Sequence, residues 1–479
     1  MEFRNVNENS PARRVSSTKR RTNSVEGGSS VHAPLHLPTL RTGRYLKPLP
    51  ETGESAMSLR ALVTACYQHV APDDIGMHYE RLEKLPQPEQ ALPTPQLLNQ
   101  NRRGIAFADV FCGAGGLSLG FELEGAVCRF ALDHDSSAIE TFAINRPKNL
   151  KVVCSGIEEM LAAQNLDCQV PLVIGGPPCQ GFSLANQQPR AADPRNRLYS
   201  KFLEAASRFR AGVVVIENVP GILKQWAMIR VDLERHGYSS RVFELEASDF
   251  GAPQRRRRVF IVAVRGLGLF RAESFLEKVA TGVACQRTEW TPSVLQDALF
   301  GLQPLVAKTV SNSTHLETKE FGYTIGAQID GSTQYLDRIN EGFPKGFLFN
   351  HRTKYNNKRD INLFHCLREG EDTTSEAFAR INPYKNRDHI FKDKFYRLHT
   401  KRSSKTITAH MYYDCHMYIH PTQDRGLTPR EAARIQGFPD QYVFLGKPNE
   451  WYRQIGNSVS PIVARCLAKA ILSAMELHF

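Results

Sequence analysis

Cys179 stands in GGPPCQGFS (175–183), directly behind the apolar run Leu172, Val173 and Ile174, and Glu217 opens ENVP directly behind VVVI (213–216). A thiol and a carboxyl at neighbouring strand ends suit nucleophilic attack assisted by proton transfer. A lone cysteine is more often a small buried hydrophobe. The Pro-Pro approach argues against that reading here, because prolines stiffen a loop and reduce the entropy lost in ordering it. A second group lies upstream. FCGAGGLSLGFE (111–122) carries Gly113, Gly115, Gly116 and Gly120, and Asp133 closes the next apolar run. Glycines let the backbone turn sharply beside a ligand, and a carboxylate there suits ribose hydroxyls. The spacing departs from the dinucleotide pattern G-x-G-x-x-G. On these residues alone, a nucleoside-bearing ligand and a turn needed only for packing stand level. A third group is QRRRR (254–258) ahead of VFIVAV. On a strand, Arg256 and Arg258 share one face, while Arg255 and Arg257 take the other as surface or phosphate contacts.

These groups need a scaffold, and the apolar runs supply it: 105–111, 129–132, 150–154, 171–174, 213–216 and 259–264. Most are continuous rather than alternating, as in strands buried on both faces of a parallel sheet, and helix-length segments separate several of them. The expected fold is α/β, a doubly wound, mostly parallel sheet. Ligands of such sheets bind beyond the carboxyl ends of the strands, where the three groups fall. Further on, Thr428-Pro429-Arg430-Glu431 reads as a capping box with proline at the first helical position, and Gly437 follows the end. The last helix is expected from Pro461 towards Leu477, with Ile462, Cys466, Leu467, Ala470, Ile471 and Ala474 as its apolar face.

The chain has 479 residues, a net charge of +12 and a pI near 9.2, which makes a polyanionic partner plausible. Residues 1–50 hold nine Lys/Arg and three Glu, a net of +6, without apolar periodicity. Residues 1–54 read as a disordered basic tail, and 55–103 as a helical segment (MSLRALVTACYQHV) followed by a Pro-rich linker. The ten cysteines show no C-x-x-C pair or zinc-like spacing, which fits reduced thiols and no metal. No apolar stretch of about 20 residues suggests a membrane span, and no secretory signal is apparent.

Six strings occur in one order: DVFCGAGGLSLGFE, GGPPCQGFS, ENVP, QRRRRVFIV, LTPREAARIQGFPD and QIGNSVSP. With them the chain resembles the DNA (cytosine-5)-methyltransferases, over roughly 104–265 and 403–475. The resemblance implies a Rossmann-like, S-adenosylmethionine-dependent catalytic domain (104–265) and a smaller target-recognition domain (266–424). C-terminal helices (425–479) then return to the catalytic domain. It makes Cys179 the nucleophile that adds to carbon 6 of a flipped cytosine. Glu217 stabilises positive character at ring nitrogen 3, and Arg256 and Arg258 face the active site, the second bonding the base. It assigns the cofactor to Phe111, Gly113, Gly115, Gly116, Asp133, His134, Ile157, Pro178, Leu198, Asn457 and Ser458. Two positions depart from the family. His134 stands where an aromatic often stacks on adenine. Gly156 stands where an Asp usually binds the adenine amino group, so that contact is either lost or supplied by Ser155 or Glu158.

The resemblance further implies double-stranded DNA as substrate, a separately acting restriction endonuclease as functional partner, no membrane, and a cytoplasmic, nucleoid-associated bacterial setting. An RNA (tRNA) cytosine-5 methyltransferase on the same scaffold is the alternative, and a non-catalytic DNA-binding regulator a third. The long basic and aromatic stretch 266–402 favours a reader of DNA sequence. The presence of both Cys179 and Glu217 argues against the regulator.

Overall fold

The structure, a computed structural model, describes residues 104–146, 150–163, 168–178, 196–310, 316–327, 331–343, 347–383, 395–413 and 416–479. The expected tail, helical segment and linker (1–103) lie outside the described residues, as does Cys179.

Seven strands form one sheet: β1 (Ala106–Val110), β2 (Val127–Asp133), β3 (Lys151–Cys154), β4 (Leu172–Gly175), β5 (Val213–Asn218), β6 (Ser239–Glu246) and β7 (Arg257–Val264). Their order is β3-β2-β1-β4-β5-β7-β6. β1 to β5 pair in parallel, and β7 runs antiparallel to both β5 and β6. This is the doubly wound, mostly parallel sheet anticipated from the apolar runs. β6 was not anticipated. Only its second half alternates, with exposed Glu244 between buried Phe243 and Leu245, as in an edge strand with one covered face.

Both faces of the central strands are covered. Ala108, Val110, Val173, Val214, Ile216 and Ile261 pack with Phe202, Ala206 and Leu233 on one side. Phe107, Leu172, Ile174, Val213, Val215 and Val262 pack with Leu119, Phe275, Val279 and Leu467 on the other. The last helix, Pro461–His478, is buried nearly all round rather than on one face, because it lies between the helices Gly116–Leu123 and Leu269–Glu289. Close approach requires small residues: a Cβ on Gly120 would sit 2.4 Å from the Ala464 Cβ, and one on Gly282 2.8 Å from the Ala470 Cβ. By length and composition the stretch Pro448–His478 passes for a membrane span, contrary to the expectation that none would. Of its most apolar window, 83% is buried inside the protein, as in a core helix.

The segment 266–424 divides between two cores. Ala272, Phe275, Leu276, Val279, Val283, Tyr335, Leu336 and Ile339 belong to the large core beside the sheet. Leu363, Phe364, Leu367, Phe378, Phe395 and Ile419 form a small core of their own. A two-stranded antiparallel sheet, β8 (Gly322–Ala327) with β9 (Phe347–Arg352), precedes the small core in sequence. The sequence, lacking a shared motif there, gave no sign that the helix Leu269–Glu289 joins the sheet.

Where β9 meets the helix Pro429–Gln436, the expected capping box is present and extended. The Thr428 hydroxyl accepts from the Glu431 amide, Glu431 accepts from the Thr428 amide, and Arg425 donates to both Glu431 oxygens at 2.8 and 2.6 Å. His351 and His420 are buried beside this pair. Burial pushes His351 down to about 4 and His420 to about 3, Glu431 opposing and Arg425 adding to the effect. Both stay neutral in the fold at pH values where the unfolded chain protonates them, so their contribution to stability is lost as pH falls below about 6.5. Burial raises Asp109 to about 7, which works in the opposite direction over part of this window. The histidine effect is therefore isolated by difference. Relative to His420→Gln, the wild type is expected to lose about 2 kcal/mol between pH 7 and pH 5. A urea-melt difference independent of pH would refute it.

Candidate active site

The parallel register brings five strand ends to one edge. Val110 pairs with Leu132 and with Gly175, Asp133 with Cys154, and Gly175 with Ile216. The residues that follow β1 to β5 therefore share that edge. β7 enters the sheet from it, because it is antiparallel, and its first residues Arg257 and Arg258 lie beside Asn218–Val259 at the end of β5.

The glycine-rich loop leaves β1 in left-handed backbone: φ is 68° at Phe111, 52° at Gly113 and 86° at Gly115. The Phe111 and Cys112 amides both donate to the Leu132 carbonyl, which folds the loop across the end of β2. The Gly113 amide donates to Asp133 Oδ2 at 2.8 Å and the Asp135 amide to Oδ1 at 2.9 Å. A carboxylate has about four acceptor positions, so Asp133 keeps room for hydroxyl donors. Among the described residues, a Cβ on Gly113 would meet nothing within 4 Å, so open space adjoins the loop there. His134 beside it is 78% exposed, and its bond to Asp133 raises its pKa. Gly116 begins the next helix and cannot be substituted cheaply, since its Cβ would lie 2.2 Å from the Val459 carbonyl oxygen.

At the neighbouring strand end, Gly156 caps the helix Ile157–Ala162 and also faces open space, its nearest neighbour being Glu158 Oε2 at 3.9 Å. Of the two residues named as possible substitutes for the Gly156 contact, Ser155 donates its hydroxyl to Glu159 at 2.6 Å. Ile157 is buried. Leu198, on the helix Asn196–Arg208, packs half-buried against the core. Asn457 ends its helix exposed. Ser458 is buried, its hydroxyl donating to the Gln454 carbonyl.

Beyond β4 and β5, Gly176 and Glu217 touch: a Cβ on Gly176 would lie 3.1 Å from Glu217 Oε2. Asn218 donates to the Pro177 carbonyl at 3.0 Å, tying the Pro-Pro loop to the ENVP turn. Sequence reasoning passed over Asn218; its place directly after the glutamate was the available signal. Arg258 Nε lies 3.2 Å from Glu217 Oε1, with the two side chains 18% and 14% exposed. Burial raises the Glu217 pKa, and Arg258 and Arg256 pull it back only in part.

Arg256 and Arg258 both act on Glu217 electrostatically, but they differ in their partners. Arg256 precedes the strand and is buried, donating to the carbonyls of Ile407 (2.6 Å), Gly456 (3.0 Å) and Ser458 (2.8 Å). Buried Gln254 beside it bonds Gln436 and the Ile407 amide. The QRRRR stretch thus pins SKTITAH (404–410) and QIGNSVS (454–460) to the sheet. Among the described residues, Cys112, Cys128, Cys154, Cys168, Cys366 and Cys466 form no disulfide. Among the described residues, no group of three or more His, Cys, Asp or Glu side chains could hold a metal.

The profile of the family described as C-5 cytosine-specific DNA methylase matches residues 105–473. The type II methyltransferase M.AgeI of Thalassovita gelatinovora is 30% identical over 435 residues, covering 77% of this chain and 99% of that protein. M.DdeI of Desulfomicrobium norvegicum, also a type II methyltransferase, is 29% identical over 391 residues, covering 76% and 87%. A prophage-encoded E. coli protein, solved as a candidate DNA modification methyltransferase, superposes with a TM-score of 0.59 at 27% identity, covering 78% of this chain and 99% of its own.

Proposed function

Because the chain belongs to the C-5 cytosine-specific DNA methyltransferases, we propose that it moves the methyl group of S-adenosylmethionine to carbon 5 of cytosine in one double-stranded DNA sequence. It does so as the modification half of a restriction–modification system, alongside a separate endonuclease, in the cytoplasm of a bacterium. The observation that carries this reading is the Glu217–Arg258 pair, 3.2 Å apart, against the Gly176–Pro178 loop and on the same sheet edge as the open glycine loop.

Carbon 5 of cytosine is a poor nucleophile until a thiolate adds to carbon 6. Cys179 supplies the thiolate, and it follows Gly176 by three residues of chain, at most about 11 Å. As sulfur adds, Glu217 gives its proton to ring nitrogen 3, and the ring becomes an enamine whose carbon 5 takes the methyl group. Loss of the carbon 5 proton to solvent then restores the 5,6 double bond and expels the thiolate, while nitrogen 3 returns its proton to Glu217. The raised pKa of Glu217 keeps a proton available for that step. Arg258 orients the carboxyl and bonds the base, which must leave the helix stack to reach them. Arg256 acts through position, holding the cleft segment at Ile407 and the turn at Gly456–Ser458.

S-adenosylmethionine, when bound, supplies an electrophilic methyl on a sulfonium. The residues fit it. Open space adjoins Gly113 and Gly156, and Asp133 retains acceptor capacity for ribose hydroxyls. Phe111, Gly115, Gly116, His134, Ile157, Pro178, Leu198, Asn457 and Ser458 complete its surroundings.

Bisulfite mapping of DNA from cells expressing the chain tests the reading. One methylated cytosine in one recurrent sequence is expected, and methylation confined to RNA would overturn it. Sequence reading is assigned to the part of 266–402 outside the large core. Exchanging residues 353–395 with those of a relative is expected to move the methylated site, and single base-contacting side chains there should each be worth ~1–3 kcal/mol. A folded, active chimera that keeps the parent's site would place the reader elsewhere. Exchanging all of 266–402 should instead damage the fold, since it removes Phe275, Val279 and Leu336 from the core.

A further inference from the structure

We propose that Arg146 and Tyr442 are positioning residues for the cofactor: between them they grip the carbonyls of Ala114 and Gly115 and so set the shape of the glycine-rich loop. The inference rests on the S-adenosylmethionine reading above.

The loop makes three left-handed turns within five residues, at Phe111, Gly113 and Gly115. Such backbone persists when its surroundings over-determine it. Arg146 is 5% exposed and spends its guanidinium on four partners. Nη2 donates to the Gly115 carbonyl at 3.0 Å, Nη1 to the Phe142 carbonyl at 3.1 Å and to the Tyr442 hydroxyl at 2.9 Å, and Nε to Glu122 at 2.8 Å. The guanidinium also lies over the Phe142 ring, 3.7 Å from its centroid. The Tyr442 hydroxyl in turn donates to the Ala114 carbonyl. Burial pushes that phenol up to about 12, so it remains a donor.

Two consecutive loop carbonyls are thus held from beneath, one by each side chain. A trans peptide points its C=O and N–H in opposite directions. Anchoring the Gly115 carbonyl therefore turns the Gly116 amide, the first of the following helix, away from Arg146. Gly115 itself lies flat on the guanidinium: a Cβ there would fall 2.6 and 2.7 Å from its terminal nitrogens. Glycine is required at this position by the clamp as well as by its φ.

Neither residue belongs to a recognised string at this sheet edge. Tyr442 arrives from beyond the helix Pro429–Gln436, where Arg430 donates to its carbonyl and to that of Phe349 in β9. The far part of the chain thereby reaches the cofactor loop.

The test is calorimetric titration of the full chain with S-adenosylhomocysteine, beside steady-state kinetics. Tyr442→Phe keeps the ring and the Arg146–Glu122 pair but removes the hydroxyl. Arg146→Lys keeps the charge but cannot span Gly115, Tyr442 and Glu122 together. For each, a roughly tenfold weaker Kd for S-adenosylhomocysteine is expected. KM for S-adenosylmethionine should rise alike, with KM for DNA and kcat at saturating cofactor within twofold of wild type. An unchanged Kd in a folded variant overturns the inference. So does a parallel loss of cofactor and DNA affinity with a lowered melting temperature, which marks a general packing role. Should Arg146→Lys fail to fold, Tyr442→Phe decides alone. Failure of the wild type to bind S-adenosylhomocysteine overturns the cofactor reading itself, and is thereby told apart from failure of the clamp.

Discussion

Cys179→Ser is expected to reduce methyl transfer by on the order of 10⁴-fold or more while leaving DNA affinity nearly intact. A hydroxyl is far less ionised and less polarisable than a thiol, so it adds poorly to carbon 6 and the enamine does not form. The protein need not rearrange, because the substitution exchanges one atom. The complementary experiment uses the wild type. DNA carrying 5-fluorocytosine at the methylated position should trap it as a covalent adduct, since fluorine cannot leave carbon 5 as a proton does. Peptide mapping should locate the link at Cys179. An adduct through another cysteine, or none from an active preparation, would remove Cys179 from the mechanism.

The second large effect belongs to Glu217→Gln, for which kcat is expected to fall by about 10²–10⁴. Glutamine retains a hydrogen-bonding group beside Arg258 but has no proton to give to nitrogen 3. The pH profile separates this role from packing. Burial raises the Glu217 pKa, with Arg258 and Arg256 opposing, so the carboxyl holds its proton to higher pH than an exposed glutamate. The step consumes the neutral acid, and kcat/KM should therefore decline as pH rises through that pKa. Thiolate formation at Cys179 drives the rate upward with pH on the acid side. The wild type then shows a bell, and Glu217→Gln loses the alkaline descent while keeping the acid limb. An unaltered bell in the variant would falsify the assignment of Glu217 as the acid.

Most of the scaffold could be read before folding because it is written in local periodicity. Continuous apolar runs report strands buried on two faces, so β1 to β5 and β7 were legible. So were the Thr428–Glu431 box and the last helix, whose signals span a few residues. The glycine-rich loop and the strand-end carboxyl of Glu217 were legible for the same reason, while Cys179 lies outside the described residues.

Direction and partnership were not. A run such as VFIVAV looks alike whether parallel or antiparallel, yet only the antiparallel placement of β7 delivers Arg258 to Glu217. The alternation rule paired Arg256 with Arg258 and both act on Glu217, but it gave no sign that Arg256 would also donate to the carbonyls of Ile407 and Ser458. The absence of a motif assigned Leu269–Glu289 to the target segment, while burial of Phe275 and Val279 puts it against the sheet. The clamps at Arg146, Tyr442 and Arg256 share one cause of invisibility. Each donates to backbone carbonyls, several of them contributed by residues more than a hundred positions away. Every residue type carries a carbonyl, so the accepting position leaves no mark in the sequence. The partner is selected only when long-range packing closes and a buried acceptor must be satisfied.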